Sequence, residues 1–138
     1  MKKVLIVDDD ASTRCLLAQI VESVGGVSVE SSNGERALNI LADNSGIDLV
    51  ITDMVMPKMG GRELVNAIRE SKKYDNIPII LISGIVRLSE ITDLLESGVR
   101  YFVPKPVNRA LVTEYLQNVL TGRITTSASE MYAQKPSQ

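Results

Sequence analysis

Residues 4–10, VLIVDDD, join a continuous apolar run to three consecutive aspartates. An apolar run without alternation is typical of a strand buried on both faces, as in a parallel sheet that is covered by helices. Two further runs of this kind occupy residues 49–52 (LVIT) and 79–82 (IILI). The sequence therefore predicts a parallel sheet whose central strands end in polar residues.

Apolar side chains recur at helical spacing between and after these predicted strands. Each set would form one buried stripe along a helix, which predicts five amphipathic helices. Asp10 or Ser12 is a candidate N-cap for the first helix and Asn108 for the last, because short polar side chains accept hydrogen bonds from the free amide groups there. The five sets are Leu17, Ile20, Val21 and Val24; Ala37, Ile40 and Leu41; Leu64, Ala67 and Ile68; Leu88, Ile91 and Leu95; and Val112, Tyr115, Leu116 and Val119.

Two weaker patterns complete the sheet. Residues 27–30, VSVE, alternate apolar and polar side chains, as expected of an edge strand with one wetter face. Val99 together with residues 101–103, YFV, is a candidate for the opposite edge. Strands and helices then alternate strictly, which predicts a flavodoxin-like, doubly wound (βα)5 fold. Its parallel five-stranded sheet would have the order 2-1-3-4-5 and lie in the middle of three α/β/α layers.

The composition suits one globular domain. The chain has 138 residues, 44% of them hydrophobic, which is enough to bury a core. We assign residues 1–121 to this domain, and residues 122–138, which are rich in Ser, Thr, Ala and Gln, to a polar C-terminal tail or the start of a linker. The formal net charge of -2 predicts no direct binding to nucleic acid and no membrane association.

Residue usage narrows the chemistry further. The sequence contains no histidine, which excludes a Ser-His-Asp triad and the commonest zinc sites. The lone cysteine, Cys15, excludes an internal disulfide framework. The apolar run behind Met1-Lys2-Lys3 is too short for a signal peptide or a membrane span, so we expect a cytoplasmic protein.

Groups suited to phosphate chemistry follow four of the predicted strands. Asp8 and Asp9 follow the first, Asp53 the third, Ser83 the fourth and Lys105 the fifth. Because the carboxyl ends of parallel strands share one crevice, we expect these side chains to meet. Crowded carboxylates there would bind Mg²⁺. Asp53 is the candidate nucleophile for an aspartyl phosphate, and Lys105 and Ser83 would contact the phosphoryl oxygens. Each residue taken singly also fits a turn or a helix cap; the ordered set favours a site.

This ordered set resembles the receiver domain of bacterial two-component response regulators, of the chemotaxis-regulator type. The resemblance covers roughly residues 3–121. Whether the chain is a complete regulator or the receiver part of a larger protein stays open. The matching motifs are Val7-Asp8-Asp9, the run from Asp53 to Pro57 followed by Met59-Gly60-Gly61, Ser83-Gly84 and Lys105-Pro106.

The resemblance implies a magnesium-dependent phosphoacceptor that catalyses only its own phosphorylation and dephosphorylation. A histidine kinase or a phosphotransfer protein would be the donor. A face made by the fourth helix, fifth strand and fifth helix would bind a downstream protein or output domain. The implied residues are Asp53 as phosphoacceptor, Lys105 and Ser83 as phosphate contacts, Asp8, Asp9, Asp53 and the main-chain carbonyl of Val55 as metal ligands, and Ser83 with Phe102 as the switch.

Some positions depart from the family pattern. Ser83 keeps the hydroxyl of the more frequent threonine, whereas Phe102 lacks the phenolic OH of a tyrosine. Val55 and Ile85 are apolar at positions that flank the path of an attacking water, so we expect slow hydrolysis of the phosphoaspartate. Lys105-Pro106 fits either a simple turn or a cis peptide bond that would aim the lysine inward. Tyr101, Arg87 and Leu88 are candidates for the partner-binding face.

Two other functions fit parts of the pattern. Residues 8–12, DDDAS, offer the Asp-x-Asp spacing of magnesium-dependent phosphatases of the haloacid-dehalogenase kind, which also use an aspartate nucleophile. That family's cap and longer chain are missing here. The second alternative is a receiver-like interaction module that acts without phosphorylation, against which the intact set of acid, hydroxyl and lysine argues.

Overall fold

The structure, a computed structural model, describes residues 1–43, 46–84 and 87–121. Ile85 and the predicted tail, residues 122–138, lie outside this part of the chain. The strands are β1 (Lys3–Val7), β2 (Val27–Ser31), β3 (Ile47–Asp53), β4 (Ile79–Ser83) and β5 (Tyr101–Pro104). The helices are α1 (Ala11–Ser23), α2 (Gly34–Asp43), α3 (Gly61–Glu70), α4 (Leu88–Glu96) and α5 (Arg109–Leu120).

The five strands form one parallel sheet in the order β2-β1-β3-β4-β5, which confirms the predicted fold class and strand order. The central strands β3 and β4 are almost wholly buried, as continuous apolar runs predict. β2 lies at an edge, and most of its side chains are half-buried or exposed. The alternating pattern of residues 27–30 therefore correctly predicted a strand that is more exposed to solvent.

Helices cover both faces of the sheet, because successive side chains of a strand point to opposite faces. Ile6 and Ile51 belong to the core that packs against α1 and α5. Leu5 and Val50 belong to the core that packs against α2, α3 and α4. The three-layer arrangement is thereby confirmed. Among the described residues, no helix combines the length and apolarity needed to cross a bilayer.

Two of the predicted N-caps are present. The Asp10 carboxylate accepts the N–H of Thr13 at 3.0 Å, and the Asn108 side chain accepts the N–H of Leu111 at 3.0 Å. Ser12 lies inside α1 and donates its hydroxyl to Asp10 instead. These caps start α1 and α5 directly after the polar residues that follow β1 and β5, so both connections at the sheet edge are short.

The inward face of α4 differs from the prediction. Leu94, which the predicted stripe omitted, is 1% exposed, whereas Leu95 is half-buried. Both leucines stand at helical spacing from Ile91, so spacing alone does not choose between them. Val99 was expected in β5 but precedes it. It lies just after the end of α4, where its N–H bonds to the carbonyl of Leu94.

The predicted partner-binding face needs one correction. Tyr101 is 2% exposed, and its ring stacks on that of Tyr115 with the ring centroids 3.9 Å apart. The alternation of β5 turns this side chain into the core under α5, so it cannot contribute to an exposed face. Arg87 is exposed, as expected. The side chain of Leu88 lies outside the described part of the structure.

Candidate functional site

The carboxyl ends of β1, β3, β4 and β5 bring the predicted site residues to one edge of the sheet. Asp8 directly follows β1, Asp53 and Ser83 end β3 and β4, and Lys105 directly follows β5. The strand register aligns them: Val7 pairs with Thr52, Asp53 with Ile82 and Ser83 with Pro104. Parallel pairing thus assembles the crevice that the strand ends predict.

Three carboxylates form a cluster in this crevice. Asp8, Asp9 and Asp53 each offer an oxygen atom, and these atoms lie within 4.8 Å of one another. Asp8 is 0% and Asp53 5% exposed, while Asp9 is open to solvent. Like charges this close repel each other strongly, above all where two of the three carboxylates are shielded from solvent. The arrangement therefore favours a bound cation.

Lys105 supplies a positive charge beside the cluster. Its Nζ donates to Oδ2 of Asp53 at 3.0 Å and lies 3.6 Å from Oδ2 of Asp8. Burial works to lower the pKa of Lys105, but the hydrogen bond to Asp53 and the charges of both aspartates outweigh it and raise that pKa. The side chain therefore remains an ammonium group. The peptide bond between Lys105 and Pro106 is cis, one of the two arrangements that the sequence left open.

The Asp8 carboxylate is only partly satisfied. Its Oδ1 accepts the N–H of Asp10 at 2.9 Å, whereas Oδ2 is buried and has no hydrogen-bond partner in the described residues. Desolvation by burial raises the pKa of Asp8, helped by the charges of Asp53 and Asp9 and opposed by the Asp10 N–H and Lys105. An orphaned oxygen in an all-oxygen cluster fits Mg²⁺, which prefers carboxylate and water ligands.

The loop after Asp53 is held against the sheet. The N–H of Met54 bonds to the carbonyl of Ile82 at 2.8 Å, and the N–H of Gly61 bonds to the carbonyl of Met54 at 2.9 Å. A Cβ atom at Gly61 would overlap the main-chain oxygen of Asp53, so only glycine permits this approach. These contacts fix the backbone that carries the Asp53 carboxylate.

Val55 lies in this loop and is 72% exposed. Its N–H lies 3.4 Å from Oδ1 of Asp53, which places its main chain next to the acid cluster. Its role as a carbonyl ligand stays a prediction. The exposed isopropyl group offers no hydrogen bond to water beside the Asp53 carboxylate.

The two expected switch residues lie on β4, which neighbours the strand of Asp53, and on β5 beyond it. Ser83 is 6% exposed, and its carbonyl accepts the N–H of Lys105 at 3.1 Å. Phe102, on β5, is half-buried and packs against the core under α2, α3 and α4. Ser83 therefore borders the site, and Phe102 faces the helix layer that contains α4.

One contact of the site was not anticipated from the sequence. Nη1 of Arg14, on α1, donates to the main-chain oxygen of Asp8 at 2.7 Å, and Nε donates to Oε1 of Glu30 at 3.3 Å. No local pattern distinguishes Arg14 from other arginines on exposed helix faces. The clustered acids, the serine and the lysine were predicted, but the Arg14 side chain that holds the main chain of Asp8 was not.

A doubly wound sheet with this set of side chains at its carboxyl edge defines the chain as a receiver, a class of α/β signalling proteins. The family described as response regulator receiver domain matches residues 4–117. The chain belongs to the response regulator receiver domain family of two-component signalling systems. Phosphorylation and Mg²⁺ binding at an acidic pocket are typical of this family.

Similar proteins agree with this assignment. A chemotaxis protein CheY homolog from Campylobacter jejuni is 34% identical over 119 residues, which cover 86% of this chain and 92% of that protein. A two-component response regulator from Oryza sativa subsp. indica is 34% identical over 117 residues, covering 85% of this chain and 80% of that protein. Both share this chain's domain over most of their length.

Solved structures show the same fold. A response regulator receiver protein from Pseudomonas putida superimposes with a TM-score of 0.80 at 32% identity, covering 85% of this chain and 96% of that one. The chemotaxis protein CheY4 from Vibrio cholerae gives a TM-score of 0.78 at 29% identity, covering 86% of this chain and 98% of that one. The similarity in each case extends over nearly the whole of the solved chain.

Proposed function

We propose that the chain accepts a phosphoryl group on Asp53 in a Mg²⁺-dependent reaction and thereby changes the affinity of a protein-binding face. The donor would be a histidine kinase or a phosphotransfer protein. The donor histidine would lie outside the 138 residues, which contain no histidine. We further propose that it works in the cytoplasm, as a signalling domain without turnover of other substrates.

One observation carries the proposal: the Asp53 carboxylate, at the end of β3, lies in one cluster with Asp8 and Asp9 and 3.0 Å from Nζ of the Lys105 ammonium. A purely structural aspartate at a strand end needs neither the two further acids nor a half-buried lysine. Phosphoryl transfer needs mainly positioning and charge neutralisation, and this set of groups supplies both.

The residues would divide the work as follows. An Asp53 oxygen attacks the phosphorus atom, a new P–O bond forms, and the P–N bond of the donor breaks with its electron pair passing to the imidazole nitrogen. Lys105 would move from the Asp53 carboxylate to a phosphoryl oxygen as negative charge arrives. Asp8, Asp9 and Asp53, with the Val55 carbonyl, would hold Mg²⁺. When bound, the ion neutralises charge on the phosphoryl group and orients it.

The switch would begin at Ser83. A phosphoryl group adds roughly -1.5 to -2 of charge and three strong acceptors, so it would attract the Ser83 hydroxyl and the chain that leads into α4. Phe102 could then turn inward from its half-buried position. A shift of this kind has to change partner affinity only by the usual coupling of about 1–3 kcal/mol. The face made by α4, β5 and α5 would report it to a downstream protein or output domain.

The test is chemical phosphorylation followed by intact-mass spectrometry. The metal-free protein is incubated with acetyl phosphate, with and without Mg²⁺. We expect one base-labile phosphoryl adduct on the parent chain, only with Mg²⁺ present, and none on Asp53→Asn. Asp43→Asn makes the same change at an exposed position on α2 and should keep the adduct.

The same assay separates the alternatives. A parent chain that binds Mg²⁺ and takes no phosphoryl group from acetyl phosphate or from a kinase would contradict this proposal and support a phosphorylation-independent module. Steady turnover of a small phosphate ester that survives Asp53→Asn and is lost in Asp8→Asn would instead support a phosphatase of the haloacid-dehalogenase kind.

A further inference from the structure

Arg14 links the acid cluster to the edge strand of the sheet. It lies in the first turns of α1, with its side chain 21% exposed. Nη1 donates to the main-chain oxygen of Asp8 at 2.7 Å, and Nε donates to Oε1 of Glu30, on β2, at 3.3 Å. The planar guanidinium is thus held at two of its corners, a geometry that a flexible lysine does not reproduce.

The hydrogen bond from Arg14 holds the peptide unit that joins Asp8 to Asp9. The Asp8 carbonyl and the Asp9 amide belong to one rigid plane, so the donor that holds this carbonyl sets the direction from which both acids extend. The other hydrogen bonds of Asp8 come from the main chain: its N–H bonds to the Ser31 carbonyl at 3.1 Å, and its Oδ1 accepts the Asp10 N–H at 2.9 Å. The Lys105 ammonium, 3.6 Å from Oδ2, contacts the carboxylate and not the peptide unit. Arg14 therefore supplies the side-chain restraint on the peptide between the two acids.

We propose that Arg14 is a positioning residue for the magnesium site, which it organises through the Asp8 carbonyl without touching the ion. This inference rests on the proposed function. Mg²⁺ demands near-ideal octahedral geometry, so a site with loosely held acids binds it less well. Substitution of groups that orient metal ligands typically lowers metal affinity about 10- to 100-fold.

Charge and positioning act in opposite directions here, which makes the inference testable. The Arg14 guanidinium is a cation near a cation site, so loss of its charge alone would strengthen Mg²⁺ binding. Loss of its hydrogen bond to Asp8 would weaken binding. Arg14→Gln removes both the charge and the guanidinium donors. Arg14→Lys keeps the charge but cannot reproduce the two hydrogen bonds of the planar guanidinium.

The experiment is isothermal titration calorimetry of Mg²⁺ into the full metal-free chain. We expect Arg14→Gln to bind Mg²⁺ about 10-fold more weakly than the parent, and Arg14→Lys to bind more weakly as well. Arg62→Gln is the matched control, because Arg62 also joins two elements through an acid, Asp93, at 2.5 Å. It should keep the parent affinity. Thermal unfolding of each metal-free variant, measured in parallel, separates a change in Mg²⁺ affinity from a change in general stability.

The outcomes are distinct. Parent-like or tighter Mg²⁺ binding by Arg14→Gln would overturn the inference, since loss of the hydrogen bond to Asp8 would then not outweigh loss of the charge. If Arg14→Gln does not fold, Arg14→Lys decides the question: weaker binding supports positioning, and parent-like binding overturns it. Absence of Mg²⁺ binding by the parent itself would contradict the proposed function and this inference together.

Discussion

Asp8 has an unfavourable environment when metal is absent. It is 0% exposed, one of its carboxylate oxygens is orphaned, and it stands beside two further acids. Burial, together with Asp53 and Asp9, raises its pKa above the ordinary value of 3.8. Ionisation of this carboxylate is therefore less favourable in the folded chain than in the unfolded chain, a cost in stability that functional sites commonly carry.

We expect Asp8→Asn to raise the thermal stability of the metal-free protein at neutral pH and to abolish Mg²⁺ binding. A raised folded-state pKa means that the folded chain binds a proton more readily than the unfolded chain, so acidification stabilises the parent relative to neutral pH. The advantage of Asp8→Asn should therefore shrink as the pH falls toward 3.8, the ordinary value for the carboxyl. Thermal unfolding at several pH values in the presence of a chelator measures this.

Asp9→Asn is the matched control for this prediction. Asp9 is exposed, so its carboxylate has little desolvation to relieve, and a smaller gain in metal-free stability is expected. Equal gains at both positions would contradict burial as the main cause. A loss of stability in Asp8→Asn at neutral pH would show that the ion pair with Lys105 outweighs desolvation and repulsion.

Val55 bears on the lifetime of the phosphorylated state. Its exposed apolar side chain cannot orient an attacking water beside Asp53. Val55→Asn would add a group that can, and we expect the phosphoryl group to be lost up to about 100-fold faster, the lower end of what such assistance contributes. Decay of the adduct, followed by intact mass after removal of the donor, measures it. Val55→Leu should decay at the parent rate, and an unchanged rate in Val55→Asn would refute the idea.

At the scale of elements, Arg69 joins α3 to the end of α4. Its Nε donates to the carbonyl of Ser97 at 2.7 Å, and Nη2 donates to that of Gly98 at 3.2 Å. Nη1 donates to the carbonyls of Asp75 and Ile77 at 2.7 and 2.8 Å. The guanidinium thus satisfies carbonyls where α4 ends and in the connection to β4. Any shift of α4 on signalling should then be larger at its N-terminal end, which follows Ser83 in the chain.

We expect Arg69→Ala to lower the free energy of unfolding by about 2–3 kcal/mol, because several main-chain carbonyls lose a charged donor at once. Urea unfolding followed by circular dichroism measures the change. Arg36→Ala, at an exposed position on α2, is the control and should stay within about 0.5 kcal/mol of the parent. Similar effects of the two substitutions would argue against the contacts of Arg69 as the cause.

Elements were more predictable than the contacts between them. The strands and their polar ends were correct because an apolar run and the residue that stops it are adjacent in sequence, and the same holds for the caps at Asp10 and Asn108. The buried side of α4 was wrong at one position because Leu94 and Leu95 both fit a helical period. The guanidinium contacts of Arg69 reach main-chain oxygens 28 and 29 residues away, for which no local pattern exists.

At the scale of the whole molecule, the alternation of elements was enough to predict the sheet order, because parallel strands joined by helices leave few alternative topologies. The convergence of Asp8, Asp53, Ser83 and Lys105 followed from that order. The distances of 3.0 and 3.6 Å from Lys105 to the two acids did not, since they depend on side-chain packing that the order of elements does not determine. The orphaned oxygen of Asp8 belongs to the same class of detail.

Within the described residues, two apolar clusters cover the two faces of the sheet. A chain that ends at residue 121 should therefore fold, bind Mg²⁺ and accept a phosphoryl group as the full chain does, with the free energy of unfolding changed by less than about 0.5 kcal/mol. A chain that ends at residue 111 is the control: it lacks Val112, Tyr115 and Leu116, all buried, and loss of such side chains costs about 2–5 kcal/mol each. Urea unfolding and phosphorylation of both chains decide the matter. Failure of the longer one to fold or to be phosphorylated would show that residues 122–138 are part of the domain and not a tail.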